Sequence, residues 1–477
     1  MHIVHLSFEC YPVAKAGGLA DVVGALPKYQ QKLGLDSWVV MPRFNNDWIN
    51  TRSIEIVHKG TTFMGSDLFQ FEIHRVESDE LGFPLYLVHV PGRLDRKGVY
   101  LDEQSGYGYW DEFERYLSFQ MAALHWLKSF KTKPDILHCH DHHTALIPYL
   151  ITSCPEYLTL SKIPTVLTIH NGEYHGNYDL GKSSLLPFAD FGQQGYLNWG
   201  GRFNSLSAGI RKSWVITTVS ESYLEEIQYS ANGLESLLQS EKGKSYGIIN
   251  GIDHDVWNPV TDPMIAENYT QSNVATGKKG NKQVLCEQFN LDPKLPLFAF
   301  IGRLVKEKGA DILPEVIRSL IYKGYKASFL VLGTGDPWLQ NQFREMPNEL
   351  TGYFDSSIQY NEKLSHQIYS GADFLIMPSR VEPCGLNQMY SMRYGTIPIV
   401  RSVGGLKDSV KDIGEKDGYG IRFDNFNVPE AENAFIRAID TYKSQKRVNS
   451  IRKKIMKLDF SWENSAQKYY QLYQKLK

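Results

Sequence analysis

Cysteine is scarce in this sequence, and no two cysteines have the spacing of a metal site. The chain has 5 cysteines in 477 residues, an odd number with no Cys-x-x-Cys pair. A disulfide framework or a zinc site is therefore disfavoured, and a reducing cytoplasm is the compartment we expect. The cysteines are Cys10, Cys139, Cys154, Cys286 and Cys384.

An excess of charge of one sign and long apolar runs are also missing. The net charge is −2 at pH 7, whereas a nucleic-acid binder usually carries a clustered basic excess. No uninterrupted apolar run approaches the ~20 residues that a membrane helix needs. The opening MHIVHLSFE shows no basic stretch followed by an apolar block, so no signal peptide is expected. We expect neither nucleic acid nor a membrane as a partner, and these features do not indicate an oligomeric state.

Several phosphate- and metal-binding signatures are absent as well. The glycine pair Gly17–Gly18 belongs to neither a Walker A motif nor a G-x-G-x-x-G fingerprint, which disfavours a P-loop NTPase and a standard dinucleotide-binding dehydrogenase. The run His140–His143 offers four potential ligands, but consecutive side chains do not converge easily on one ion and no H-E-x-x-H spacing occurs. We expect no metal site and no cofactor.

What the sequence does contain is an alternation of short apolar runs with amphipathic stretches, which predicts an α/β fold. A chain of 477 residues is expected to form two or three domains. Residues 254–285 are polar and irregular, and we predict them to be loop-like. A new series of strands begins at Leu297–Ile301, so we place the domain boundary near Asn250–Pro259.

The most informative turn is SRVEPCGLNQMY, Ser379–Tyr390, which follows the buried strand predicted at Phe374–Met377 and precedes a helix. Turns at the carboxyl ends of strands are where open α/β sheets bind ligands. This turn contains Glu382, Cys384 and Gly385, and backbone N–H groups at a helix N-terminus favour an anion or sugar oxygens. The alternative is an ordinary strand–loop–helix connection.

Cations lie in two other turns that follow predicted strands. Lys15 and Gly18 precede a predicted helix, where free N–H groups and a lysine would form a cradle for a diphosphate. Arg303 and Lys308 follow the first strand of the second half, and arginine binds phosphate through two N–H groups while lysine supplies a point charge. If the diphosphate is a leaving group, these charges stabilise it as it departs. The alternatives are a space-saving turn and a solvated basic turn.

Polar residues near the ends of other predicted elements suit a sugar and a base. His170 and Asn250 each follow a predicted strand, and with Glu382 and the backbone of Cys384–Leu386 they offer the many short hydrogen bonds that a hexose requires. Tyr360 precedes a predicted helix and could stack on a nucleobase. A lone histidine or tyrosine with a purely structural role is the alternative in each case.

In their order along the chain, these motifs resemble the bacterial glycogen synthases and the plant starch synthases. The resemblance covers essentially the whole sequence, and its segments are KAGGLADVVGALP (Lys15–Pro27), HDHHTAL (His140–Leu146), TIHNGEYHG (Thr168–Gly176), GIINGIDHDVWNP (Gly247–Pro259), GRLVKEKG (Gly302–Gly309), SRVEPCGLNQMYSMRYGTIPIV (Ser379–Val400) and GGLKDSV (Gly404–Val410).

The resemblance implies a glycosyltransferase-B fold, with two facing Rossmann-like domains, an interdomain cleft and a C-terminal helix that crosses back to the first domain. Residues 1–250, with a helix at about 462–477, would form the acceptor-side domain, and residues 251–461 the nucleotide-sugar-binding domain. The implied activity is retaining transfer of glucose from ADP-glucose to the non-reducing end of a glycogen- or starch-type α-1,4-glucan, in the cytoplasm and without a cofactor.

The resemblance also implies roles for single residues. The implied catalytic residues, which contact the diphosphate or the transferred glucose, are Glu382, His170, Arg303, Lys308 and Asp21. The implied substrate-binding residues, which surround the sugar, phosphate, acceptor or base, are Lys15, Gly18, Asn250, Cys384, Gly385, Leu386 and Tyr360.

The sequence departs from the family pattern at three places. Ala16 stands where relatives usually have Thr or Val, GEYHG follows His170–Asn171 where LAYQG is common, and Tyr390 replaces the second glutamate of the E-x7-E pattern of some relatives. Glu382 is thus the one carboxylate of that motif. Other functions remain open: the same fold using UDP-glucose, a non-catalytic α-glucan-binding protein, a sugar-nucleotide epimerase, or a phosphorylase with lysine-bound pyridoxal phosphate.

Overall fold

The computed structural model divides the chain into two compact α/β units. Unit 1 comprises Met1–Val219, Leu224–Ile249 and Trp462–Lys477, and unit 2 comprises Ser220–Tyr223 and Asn250–Ser461. The structure describes the backbone of residues 1–477 and every side chain except that of Phe191. The prediction of a chain with two α/β domains is confirmed.

The first half of the chain alternates strands and helices around one large sheet. Its elements are β1 (His2–Leu6), α1 (Gly18–Lys32), β2 (Asp36–Pro42), α2 (Asp47–Asn50), β3 (Ile54–Met64), β4 (Asp67–Val76), β5 (Leu85–His89), α3 (Glu112–Lys128), β6 (Ile136–His140), α4 (Leu146–Ser153), β7 (Thr165–Ile169), β8 (Asn177–Tyr178), α5 (Phe191–Gln194), β9 (Asn198–Trp199), β10 (Arg202–Asn204), α6 (Ser205–Lys212), β11 (Val215–Thr218), α7 (Glu221–Glu226), α8 (Glu235–Ser240) and β12 (Ser245–Gly247).

The second half repeats this alternation around a smaller sheet. Its elements are α9 (Val274–Gln288), β13 (Leu297–Ile301), α10 (Leu313–Tyr322), β14 (Ser328–Leu332), α11 (Pro337–Glu349), β15 (Phe354–Ser357), α12 (Glu362–Gly371), β16 (Phe374–Met377), α13 (Asn387–Arg393), β17 (Ile397–Arg401), α14 (Gly404–Ser409), β18 (Ile421–Phe423), α15 (Val428–Tyr442), α16 (Gln445–Ile455) and α17 (Trp462–Gln474).

Both main sheets are doubly wound. Unit 1 has nine strands in the order β12-β11-β7-β6-β1-β2-β5-β4-β3, parallel except for the antiparallel pairs of β4 with β5 and β3. Unit 2 has six parallel strands in the order β15-β14-β13-β16-β17-β18. The strand order reverses direction between β1 and β6 in unit 1, and between β13 and β16 in unit 2. Ligands of open α/β sheets bind at such switch points, beyond the carboxyl ends of the strands.

The strands of unit 2 follow directly from the sequence pattern. The strands predicted at Ser328–Leu332 and Phe374–Met377 have those bounds in the structure. Both are fully buried, as expected for parallel strands covered by helices on both faces.

The loop predicted at residues 254–285 is wrong over its second half, because α9 begins at Val274 and contains the whole GKKGNK stretch. Its two glycines hid the helical pattern, yet Gly277 is needed there: a Cβ at Gly277 would lie 2.3 Å from Tyr269. Lys278 is buried, and its Nζ donates to the carbonyl oxygens of Tyr369, Ser370 and Tyr394 and to Thr396 Oγ1. A polar sequence therefore forms a helix with one buried face, because tertiary acceptors satisfy the buried Lys278 and Lys282.

The last helix, α17, packs on unit 1 although it follows unit 2 in sequence. Its buried residues Trp462, Tyr469 and Tyr473 share a hydrophobic cluster with Ile3 and Val22. The expected return of the C-terminal helix to the first domain is confirmed. None of the helices in the described chain is both long enough and apolar enough to cross a bilayer.

Candidate active site

The turn after β16 holds a buried carboxylate bonded to a lysine. Both carboxylate oxygens of Glu382 accept hydrogen bonds from Lys308 Nζ at 2.8 Å, and Ser379 Oγ donates to Glu382 Oε2 at 2.9 Å. The side chain of Glu382 is 8% exposed and that of Lys308 is 23% exposed. The strands β13 and β16 thus bring together two predicted site residues that lie 74 positions apart, at the switch point of unit 2.

Close backbone packing brings Lys308 to this turn. Lys308 ends a short 3-10 helix, and Gly309 follows it with φ +70°, in the left-handed region that favours glycine. A Cβ at Gly309 would lie 2.0 Å from the carbonyl oxygen of Pro378. The backbone N–H of Arg380 also donates to the carbonyl oxygen of Glu307 at 2.8 Å. A larger residue at position 309 would push the turn that contains Lys308 away from the turn that contains Glu382.

Other groups around the glutamate turn are placed to accept or donate hydrogen bonds. Asn250 is buried, and its Oδ1 has no hydrogen-bond partner among the side chains that the structure describes. Gly385 has φ +70°, which keeps the turn tight just before Leu386 and α13. Burial raises the pKa of the Cys384 thiol to about 12, so this cysteine stays protonated and is no nucleophile.

The predicted phosphate and base contacts of unit 2 are open to solvent. The Arg303 side chain is 64% exposed and its Nη2 contacts Glu307 Oε2 at 3.3 Å. Tyr360 is 84% exposed and precedes α12. Moving an exposed cation or aromatic ring costs little free energy, so both side chains can reorient toward a ligand.

In unit 1, the predicted residues after β1 also form a lysine–carboxylate pair. Lys15 Nζ donates to Asp21 Oδ1 at 2.6 Å and to Oδ2 at 2.8 Å. Burial raises the pKa of Asp21, while Lys15 acts in the opposite direction. Gly18 is the first residue of α1, and a Cβ there would meet nothing within 4 Å. The N-terminus of α1 therefore has free space beside Gly18.

The expected diphosphate cradle of free N–H groups at the start of α1 is only partly present. Glu9 Oε2 already accepts hydrogen bonds from the N–H groups of Ala16 at 2.5 Å and Gly17 at 2.7 Å. Its other oxygen, Oε1, accepts from the hydroxyl of Tyr100 at 2.7 Å. Glu9 is a buried carboxylate that the sequence reasoning missed. It fixes the loop that contains Lys15 and occupies N–H groups that an anion would otherwise bind.

His170 follows β7, and Asp141, which the sequence suggested only as a potential metal ligand, fixes the backbone of His170. Asp141 Oδ1 accepts from the N–H of His170 at 2.7 Å, and the backbone of Asn171 also bonds to this side chain. Asp141 has φ +57°, unusual for a residue with a Cβ. Burial raises the pKa of Asp141 to about 7 and lowers that of His170 to about 3. Within the His-Asp-His-His run, the Asp141 carboxylate therefore fixes the backbone at His170 and Asn171 by hydrogen bonds.

Two clusters in unit 1 have the composition of a metal site. The ring nitrogens of His5, His138 and His140 lie within 4.8 Å of one another, but these rings are buried and hydrogen-bonded to protein groups. Glu72, His74 and His89 form the second cluster, in which Lys59 Nζ lies 2.6 Å from the Glu72 carboxylate. A dication there would have to displace or tolerate this lysine, so neither arrangement favours a metal ion.

The two doubly wound units belong to a glycosyltransferase of the glycosyltransferase-B class, as the family models and a solved structure show. The family model of the starch synthase catalytic domain matches residues 2–240, and the model of glycosyl transferases group 1 matches residues 281–455.

Whole-length comparisons narrow the class further. The chain is 47% identical over 474 residues to the glycogen synthase of Flavobacterium johnsoniae, covering 99% of this chain and 98% of that protein. It is 37% identical to the glycogen synthase of Thermosipho melanesiensis, covering 100% of this chain and 99% of that protein. The chain belongs to the glycogen and starch synthase family of α-glucan glucosyltransferases.

Solved structures give the same result for the fold. The catalytic domain of starch synthase IV from Arabidopsis thaliana, bound to ADP and acarbose, matches with a TM-score of 0.87 and 31% identity, over 100% of this chain and 99% of that one. The sucrose-phosphate synthase of Thermosynechococcus elongatus matches with a TM-score of 0.63 at 16% identity, over 99% of this chain and 98% of that one, which supports the fold alone.

Proposed function

We propose that the chain transfers glucose from ADP-glucose to the non-reducing end of an α-1,4-glucan, with retention of the anomeric configuration. The observation that carries the proposal is the Lys308–Glu382 pair at the switch point of unit 2, with the exposed Arg303 in the same β13 turn. The relatives named glycogen synthase and the solved starch synthase with ADP and acarbose support the choice of donor and acceptor.

In this proposal unit 2 binds the nucleotide sugar and unit 1 binds the acceptor glucan. Lys308 and Arg303 neutralise the diphosphate, and Glu382 accepts hydrogen bonds from hydroxyls of the transferred glucose. The unpartnered Oδ1 of Asn250 supplies a further acceptor in unit 2, within the part of the chain that the structure describes. Tyr360 stacks on the base. In unit 1, Asp21 and His170 contact the transferred glucose, and Lys15 contacts the sugar-nucleotide and acceptor region.

The chemical step is a front-face displacement. The bond between glucose C1 and the diphosphate oxygen breaks, and negative charge develops near Lys308 and Arg303, where fixed cations stabilise it. The 4-hydroxyl oxygen of the acceptor forms the new bond to C1 on the same face, and its proton passes to an oxygen of the departing diphosphate. Retaining glycosidases instead use two carboxylates ~5 Å apart, one as nucleophile. Here Glu382 and Asp21 are each bonded to a lysine.

Donor choice and reaction type are tested together with labelled substrates. Purified chain is incubated with glycogen and either ADP-[14C]glucose or UDP-[14C]glucose, and nucleotide release and label in the polymer are counted. We expect ADP release in step with α-linked label. Preferential use of UDP-glucose would contradict the proposed donor, and nucleotide-free turnover of glucose-1-phosphate would indicate a phosphorylase. A glucosyl group trapped on Glu382 or Asp21 would contradict the front-face mechanism.

The compartment is part of the same proposal. The five cysteines are free and buried, which suits a reducing cytoplasm. Fractionation of cells that express a tagged chain tests this, with the expected signal in the cytoplasmic fraction.

A further inference from the structure

A chain of buried histidines leads from His170 into the core of unit 1. His170 Nε2 lies 3.0 Å from His140 Nδ1, and His140 Nε2 lies 3.0 Å from His5 Nδ1. His5 Nε2 in turn lies 2.8 Å from Gln30 Oε1. We call the series His170–His140–His5–Gln30 the histidine relay. It joins the carboxyl ends of β7 and β6 to His5, the residue before the last of β1, and then to α1.

The orientation of the Gln30 amide, at the buried end of the relay, determines which ring nitrogens carry protons. Gln30 and Ser37 are fully buried, and Ser37 Oγ donates to Gln30 Oε1 at 2.6 Å. Within the described residues, this oxygen is the only acceptor that the Ser37 hydroxyl has. Turning the amide over would leave that hydroxyl without an acceptor, at a cost of about 1–3 kcal/mol. The amide nitrogen, Nε2, donates to the hydroxyl of Tyr473 at 3.2 Å, so the oxygen of Gln30 faces His5 and Ser37.

One orientation of the amide then determines every tautomer. A carbonyl oxygen only accepts, so His5 carries its proton on Nε2 and its Nδ1 accepts from His140 Nε2–H. His140 Nδ1 is therefore an acceptor, and it receives the Nε2–H of His170. Each ring must be neutral for this pattern, and burial lowers the pKa of His5 to about 4 and of His170 to about 3, with His140 also well below its ordinary value.

We propose that Gln30, His5 and His140 are positioning residues that hold His170 as its Nε2–H tautomer, so that His170 Nδ1 accepts a hydrogen bond from a hydroxyl of the transferred glucose. This inference rests on the proposed function. His170 keeps a small exposed fraction, 9%, and its Nδ1 has no partner among the described residues. The reversed tautomer would present an N–H there and would suit an acceptor group instead.

The helix α17 reinforces this assignment. Tyr473 accepts from Gln30, so its own hydroxyl proton donates to His138 Nδ1 at 2.7 Å. His138 Nε2–H then donates to Thr168 Oγ1 at 2.6 Å. All of these residues are buried, and the C-terminal helix therefore holds the amide that orients the relay.

The first test observes the tautomer directly in the full chain without substrate. The protein is labelled with 15N-histidine, and the His170 signals are assigned by their loss in His170→Gln. We expect an unprotonated Nδ1 and a protonated Nε2. In His5→Phe, which keeps a ring but breaks the relay, we expect a mixture of tautomers. A protonated Nδ1 in the unmodified chain, or unchanged His170 signals in His5→Phe, would overturn the proposal.

Two further variants distinguish the loss of the relay from a general folding defect. Gln30→Met, which has a side chain of similar length, removes the acceptor at the end of the relay and should lose the tautomer. His125→Phe is the matched control, because His125 packs on Phe71 and His58 outside the relay. It should leave the His170 signals unchanged, and an unchanged His170 tautomer in Gln30→Met would also overturn the proposal.

The second test measures glucose transfer from donors that each lack one hydroxyl. With the unmodified donor we expect kcat/KM of His5→Phe and Gln30→Met to fall about tenfold, the size expected for one lost hydrogen bond. With the deoxy donor that lacks the hydroxyl bound by His170, this fall should disappear. An equal fall for every donor would indicate a merely structural role and overturn the proposal. A chain that transfers no glucose would contradict the proposed function, while the NMR measurement would still decide the relay.

Discussion

The two units present the same pair of residue types in different surroundings. Lys15 and Asp21 lie six positions apart around the start of α1, with side chains 44% and 27% exposed. Lys308 and Glu382 come from different turns, and Glu382 is almost fully buried. An exposed pair contributes little free energy and moves easily, whereas a buried pair holds its charges in place. We therefore expect unit 2 to provide the fixed charges for the chemical step and unit 1 to provide adjustable contacts.

The largest expected difference between the pairs is in catalysis. Lys308→Ala should lower kcat about 100- to 1,000-fold, because a cation that stabilises the leaving diphosphate is lost. Steady-state kinetics with ADP-glucose and glycogen measure this. Lys306→Ala is the matched control, since Lys306 lies in the same 3-10 helix with an exposed side chain, and it should stay near the unmodified rate.

An unchanged kcat in Lys308→Ala would remove the phosphate role from this lysine. Lys15→Ala extends the comparison, and we expect it to change KM more than kcat. A larger loss of kcat in Lys15→Ala than in Lys308→Ala would reverse the roles assigned to the two units.

The next largest expected difference is in how the stability of each unit depends on pH. Twelve of the 14 histidines belong to unit 1, and burial lowers the pKa of His5 to about 4 and of His142 and His170 to about 3. Such groups bind protons more readily when unfolded, so their stabilising contribution is present above about pH 6.5 and is lost as the pH falls toward those values. Each histidine that stays neutral costs up to about 1.4 kcal/mol per pH unit.

Hydrogen exchange with mass spectrometry at pH 7 and pH 5 measures this for each unit. We expect unit 1 to lose protection at pH 5 while unit 2 changes little. Asp141 acts with the opposite sign: its pKa is raised to about 7, so its contribution is lost as the pH rises from about 4 to 7. His142→Phe, which removes one histidine, should reduce the pH dependence, and equal loss of protection in both units would contradict the prediction.

A pair of glycine substitutions tests backbone packing. Gly309→Ala should destabilise the fold by about 1–3 kcal/mol and lower kcat, because its left-handed φ and the contact with Pro378 both exclude a Cβ. Gly18→Ala should leave stability unchanged or slightly higher, since its Cβ position is empty and alanine favours the helix. Thermal unfolding measures both, and equal stability of the two variants would contradict this account of the lysine turn.

The smallest expected effect is on the exposed tyrosine of unit 2. Tyr360→Ala should raise KM for ADP-glucose about 2- to 10-fold with kcat nearly unchanged, because one stacking contact contributes about 0.5–1.5 kcal/mol. Tyr322→Ala is a suitable control, since Tyr322 is also an exposed tyrosine of unit 2. Equal KM values for both variants would exclude stacking by Tyr360.

The sequence predicted the alternation of strands and helices well wherever apolar runs are continuous, as at β14 and β16. It failed at α9, where the glycines and lysines of GKKGNK conceal a helix whose Lys278 is satisfied by distant carbonyl groups. A local pattern contains no information about such acceptors. The helix that the sequence predicts at Leu19–Leu33 is α1, which runs one residue earlier, from Gly18 to Lys32.

For the candidate site, the sequence indicated the turns but not the contacts. Lys308 and Glu382 were both predicted as site residues, yet their direct hydrogen bonds depend on β13 and β16 being neighbours. Glu9 was overlooked although it is the first acid after β1, and Asp141 was weighed only as a metal ligand. The histidine relay was not predictable, because it needs the register of β1, β6 and β7.

The most direct test of the account is a crystal structure of the full chain with ADP. We expect diphosphate oxygens within hydrogen-bond distance of Lys308 Nζ and the Arg303 guanidinium, in the turn after β13. ADP bound elsewhere, with Lys308 still bonded only to Glu382, would contradict the assignment of these cations to the leaving group.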